Sequence, residues 1–146
     1  MAFPSTSGVF VPTFVNSLNG VASLNLTGTT NVALYTNSIT GANLITDTAY
    51  GTGAWGFDEV SGDGYTAGGT ALVSPTWAHT ADGIVMWDAD NPVWPASTIT
   101  ARGALYYVAA DSRAIFAQTF GADIQTLVGT FTIQYAGTGI FNIDCV

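Results

Sequence analysis

The chain has 146 residues, enough for one domain that buries a core without disulfides or metal. Its only cations are Arg102 and Arg113 against ten acidic residues, a formal charge of −8, which excludes the basic face that nucleic acid requires. Apolar residues reach 48%, but in runs far short of the roughly 18–20 that a membrane helix needs, so no membrane partner is expected.

Residues 1–30 read as an N-terminal arm. Phe3-Pro4-Ser5 and Val11-Pro12-Thr13 interrupt regular structure, and Phe10, Phe14, Val15 and Leu18 predict one or two turns of amphipathic helix from near Pro12 to Gly20. The arm either lies on a neighbouring subunit or folds back on its own core. Residues 31–146 read as a single β-sandwich domain. Asn31–Thr36 is its first strand, and Ile39–Gly53 is a polar loop with Leu44 and Ile45 turned inward. Trp55 and Phe57, one residue apart, are expected on one side of a strand. Glu59–Gly69 is dense in glycine; Ala71–Val73 and Gly83–Asp88 are short strands. Asp88–Asn91, with Pro92 and Pro95 after it, reads as a stiff connector. Ala104–Ala109 and Ala114–Phe120 flank a four-residue polar turn and predict a hairpin. A helical turn is expected at Asp123–Leu127. Phe131–Tyr135 alternates apolar and polar residues, and Ile140–Ile143 closes the chain. About eight short strands separated by turns predict an all-β fold, a jelly-roll-like β-sandwich with an N-terminal arm.

Catalytic and metal chemistry find little support. Gly62-Asp63-Gly64 with Gly68-Gly69 lacks the Lys-Ser or Lys-Thr of a phosphate loop, and Asp63 would repel a phosphate; tight turns with positive φ explain these glycines better. His79 is the only histidine and Cys145 the only cysteine, too few for the usual zinc sites. No Gly-x-Ser-x-Gly elbow accompanies His79. Cys145 is expected to be a free thiol. Asp88-Ala89-Asp90-Asn91 begins like a calcium loop but lacks its sixth-position glycine and twelfth-position glutamate. No catalytic residue, cofactor or metal is therefore expected. Asn25-Leu26-Thr27 matches a glycosylation sequon, read as chance because Met1-Ala2-Phe3-Pro4 lacks the basic region of a secretion signal; assembly in a cytoplasm is expected. Trp55, Trp77, Trp87 and Trp94 are expected mostly in the core, with stacking on sugar rings as the alternative.

Three segments carry a resemblance. Glu59-Val60-Ser61-Gly62-Asp63-Gly64-Tyr65-Thr66-Ala67-Gly68-Gly69, Trp94-Pro95-Ala96-Ser97-Thr98-Ile99-Thr100-Ala101-Arg102, and Gly129-Thr130-Phe131-Thr132-Ile133-Gln134-Tyr135 followed by Gly139-Ile140-Phe141 resemble signatures of a family of small tailed-bacteriophage virion structural proteins. Together with the early Val32-Ala33-Leu34-Tyr35 strand they span residues 31–143. Size and strand pattern are also similar to the jelly-roll cement, or decoration, proteins of phage capsids. The resemblance implies a non-enzymatic virion protein on the capsid exterior that clamps neighbouring major capsid subunits. Self-association, as a dimer rather than a trimer, is expected with it. The interface is expected at Phe3, Phe10, Val11 and Phe14, with one strand edge. The alternative is a tail or fibre component with a carbohydrate-binding or host-contact role.

Overall fold

The computed structural model describes residues 2–80 and 82–146; Met1, the first residue of the expected arm, lies outside them. The fold is an all-β sandwich. Its strands are β1 (Gly8–Val9), β2 (Thr30–Tyr35), β3 (Thr70–Ala71), β4 (Thr76–His79), β5 (Ile84–Asp88), β6 (Val93–Ser97), β7 (Thr100–Val108), β8 (Ala114–Gln125), β9 (Gly129–Thr132) and β10 (Phe141–Asp144). One helix, α1 (Val11–Leu18), lies between β1 and β2. A five-stranded antiparallel sheet runs β1-β8-β7-β2-β3, a three-stranded one β10-β5-β4, and β6 pairs with β9. No described helix is long and apolar enough to cross a membrane.

The five-stranded sheet is buried on both faces, which explains why its central strands read as continuous apolar runs. Val32 and Leu34 of β2 and Ala104 and Tyr106 of β7 face a core shared with Trp87, Trp94, Phe131 and Ile133. Ala33 and Tyr35, with Leu105 and Tyr107, face a second core closed by Phe3, Phe10, Ile39 and Trp55. Trp55 organises that second core: Phe3, Phe10 and Tyr35 meet its ring edge-on at centroid distances of 5.8, 5.5 and 5.1 Å. Its indole N–H donates to Asp47 Oδ2 at 2.9 Å.

Residues 2–30 therefore do not stand off from the body. β1 pairs with β8, Gly8 opposite Ala117 and Val9 opposite Phe116. Phe10 N–H continues the ladder to Ile115 O at 2.9 Å. Phe3 lies against Gly103, where a Cβ would overlap its ring. Of the two placements open to the arm, the chain adopts the one on its own core.

Four local expectations are corrected. Trp55 and Phe57 do not share a strand face, because Gly53–Gly56 forms a 3-10 turn that buries Trp55 and leaves Phe57 72% exposed. Of the pair expected to turn inward, Leu44 packs against the second core but Ile45 is exposed. Asp123–Gln125 is strand rather than helical turn, since Ile124 pairs with Ala101 and Gln125 with Thr100. The proline-marked connector contains β6; Pro95 is accommodated at a register shift between Trp94 and Ser97, where Ala96 takes a φ of 50°. β4 was not foreseen; its four residues are all exposed, so no apolar alternation marks it.

Candidate functional site: an outward-facing apolar surface

α1 begins with Pro12 in its first turn, where a missing N–H costs nothing, and ends at Gly20, whose φ is 70°. Its orientation is the reverse of an ordinary surface helix. Thr13 is the buried residue, its hydroxyl donating to Ala114 O at 2.6 Å, and Ser17 donates to Thr13 O at 2.8 Å. Val11, Phe14, Val15 and Leu18 are 42%, 38%, 45% and 74% exposed. Thr13 thus faces the sheet and the apolar side chains face solvent, although burial of an amphipathic helix normally does the opposite.

Beside the helix lies a groove of about 510 Å³, floored by Val9, Ile115 and Phe141 and walled by Phe14, Leu24 and Trp77. It opens between the five-stranded and three-stranded sheets. Among the described residues no Asp, Glu, Lys or Arg lines it. A sequence signal for this surface exists: residues 1–46 contain no charged side chain, and the first charge in the chain is Asp47. All ten acidic residues therefore lie outside the segment that builds α1 and much of the groove.

Of the four residues expected at an interface, the structure divides two from two. Phe3 and Phe10 are 3% and 0% exposed and belong to the chain's own core, so they are corrected from interface to core. Val11 and Phe14 stand on the outward face of α1 with Val15 and Leu18, and exposed Trp77 of β4 shares the groove with Phe14 and Leu18.

The glycine-rich segment and the other two motifs meet in space. Glu59 accepts from Tyr50 OH (2.8 Å) on one oxygen, and from Tyr65 OH and Gly68 N–H (both 2.6 Å) on the other. Burial, and after it the hydrogen bond to Glu59, pushes the Tyr50 and Tyr65 hydroxyls well above the usual tyrosine range. Gly64, with a φ of 77°, lies where a Cβ would sit 2.7 Å from Ser97 Cα, and Thr98 N–H donates to Asp63 O at 2.9 Å. Trp94 and Phe131 meet edge-on at 5.8 Å across β6 and β9. The glycines are positions of close backbone approach, not a ligand cradle.

The remaining candidates are scattered. His79 is exposed on β4, and Cys145 is a free, exposed thiol. Asn91 Oδ1 accepts from Tyr135 N–H at 2.9 Å, which commits it to the fold. Asn25 Oδ1 accepts from Thr27 N–H and Oγ1–H, closing a local turn. Among the described residues no group of three His, Cys, Asp or Glu is placed to hold a metal. Trp55, Trp87 and Trp94 are buried, and Trp77 alone of the four is exposed, at 38%. Comparison with protein-family models, curated proteins and solved structures found no match.

Proposed function

We propose that this protein is a structural component of a phage virion, one that binds the outside of the capsid and clamps neighbouring major capsid subunits. The observation that carries the contact role is the reversed helix: α1 turns Val11, Phe14, Val15 and Leu18 outward beside an apolar groove in a chain of charge −8. Contiguous exposed apolar surface of this kind marks a binding face. The three motifs that resemble virion proteins support the choice of partner. Physically, a protein that binds only the assembled lattice stabilises it by mass action, and repetition over the shell multiplies weak contacts. Self-pairing as a dimer belongs to the same reading.

The test uses surface substitutions, because truncating residues 1–14 would remove Phe3, Phe10 and β1 from the fold. Val15→Asp and Leu18→Asp change side chains that are 45% and 74% exposed. Each variant should melt within a few degrees of wild type, as surface changes do. Wild type should co-sediment with emptied, expanded heads and delay their thermal rupture, and the double variant should bind at least tenfold more weakly. Equal binding by the double variant removes α1 from the interface; failure of wild type to bind heads removes the capsid reading itself.

A further inference from the structure

β4 is an open sheet edge that touches the groove. Trp77 lies opposite Trp87, and His79 opposite Val85. Thr80 N–H donates to Ile84 O at 2.7 Å, so the pairs that exchange hydrogen bonds with β5 are those of Thr80, Ala78 and Thr76. Trp87 O in turn accepts from Ile140 N–H at 2.7 Å, away from β4. The main-chain N–H and C=O of Trp77 and His79 consequently point out of the sheet. All four residues of β4 are exposed.

The usual protections of an edge are missing here. β1 and β3, which bound the five-stranded sheet, are two residues long, and β6 is interrupted by Pro95 and a bulge. Within β4 there is no proline, no charged residue and no bulge; Pro75 precedes it. The second observation is the groove. Trp77 belongs to both features: its backbone forms the edge and its ring walls the cavity, 5.9 Å from Phe141. Free backbone groups beside a pocket for an alternate side chain are the two requirements of strand addition.

We propose that β4 is an acceptor strand. An extended segment of a partner protein, apolar at alternate positions and flanked by Lys or Arg, adds to its edge and lowers a side chain into the groove beside Trp77. The charge at both ends selects such a segment. Asp88 lies opposite Thr76 at one end, and exposed Asp82 lies in the β4–β5 turn at the other. A second copy is the poorer occupant: antiparallel pairing of two β4 strands would set the Asp82 end of each against the Asp88 end of the other. The inference requires a protein partner and holds whether or not that partner is a capsid subunit.

The probe is an acetylated and amidated nine-residue peptide of alternating Val and Thr with Lys at each end, titrated into the full chain and followed by amide NMR. Half-saturation at sub-millimolar peptide is expected, with at least tenfold slower exchange of the Trp77 and His79 amides and a shifted Trp77 indole signal. His79→Pro removes an outward N–H without breaking the β4–β5 ladder, so it should leave melting within a few degrees and weaken the peptide at least tenfold. His79→Thr, which restores the N–H, should bind as wild type. No change up to several millimolar peptide, protection at β1 or β3 instead, or full binding by His79→Pro each overturns the proposal. Concentration-dependent protection of the same amides without peptide assigns the edge to a second copy and overturns it as well. Head-binding assays are independent of this titration, so failure of either leaves the other readable.

Discussion

Glu59 shows how one charged side chain holds a glycine-rich segment in place. Its two oxygens take three donors, from Tyr50, Tyr65 and Gly68. Tyr65 OH in turn accepts from Leu34 N–H at 2.9 Å, tying the segment to β2. Tyr107 OH donates to Gly68 O at 2.8 Å and stacks on Tyr50 at 4.3 Å. Glu59→Ala leaves two hydroxyls and an amide without their acceptor. The expected loss is about 3 kcal/mol in urea unfolding, and Glu59→Gln, which keeps a carbonyl oxygen, should lose less. At this scale the sequence was partly legible. Glycines in Gly62-Asp63-Gly64 and Gly68-Gly69 read correctly as turns, because positive φ has a residue signature. The partners of Glu59 did not, because Tyr50, Tyr65 and Gly68 come together only through the turns between them.

At the scale of elements, the arm and α1 separate two kinds of apolar residue that the sequence cannot tell apart. Phe10 and Phe14 lie one helical turn apart. Phe10 is fully buried against Trp55, whereas Phe14 is 38% exposed. Phe10→Ala should destabilise the fold by about 3–5 kcal/mol, the range for a large aromatic removed from a closed core, and differential scanning calorimetry would read it as a large fall in Tm. A loss under 1 kcal/mol would show that the arm is not part of the cooperative unit. The helix bounds were legible from Pro12 and Gly20, and the β7–β8 hairpin from its two apolar runs around Asp111. The facing of α1 was not, since a stripe of Phe, Val and Leu on a helix signals a buried face unless Thr13 is known to bond inward to Ala114 O. β4 carries no sequence signal for a related reason: a strand exposed on both faces has no period-two pattern to read.

At the scale of the whole molecule, the tyrosines set a limit on the alkaline side. All six have hydroxyls displaced upward, chiefly by burial. A tyrosine whose pKa is raised in the folded state contributes stability that is complete below its unfolded value near 10 and is lost as pH rises beyond it. For each fully enclosed ring, such as Tyr35 and Tyr106, the loss is about 1.4 kcal/mol per pH unit above 10. Tyrosinate absorbance at 295 nm should therefore stay low to just above pH 10 and then rise together with loss of β-sheet circular dichroism. A gradual rise centred at pH 10 with the fold intact would contradict this. On the same scale, charge is segregated along the chain: residues 1–46 carry no charged side chain and all ten acids follow, and among the described residues none of them lines the groove beside α1. The composition showed the acidity, but its distribution becomes a surface property only once β1, α1 and the groove are seen side by side.

The proposed capsid role requires the outward side of α1 to be a contact face on a viral shell. An electron cryomicroscopy map of the assembled particle, with this chain fitted into it, is the most direct measurement. The expected map places the chain on the outer surface of the head, with Val11, Phe14, Val15 and Leu18 against the major capsid protein. A map that puts it in the tail, or on the head with α1 turned to solvent, would contradict the account.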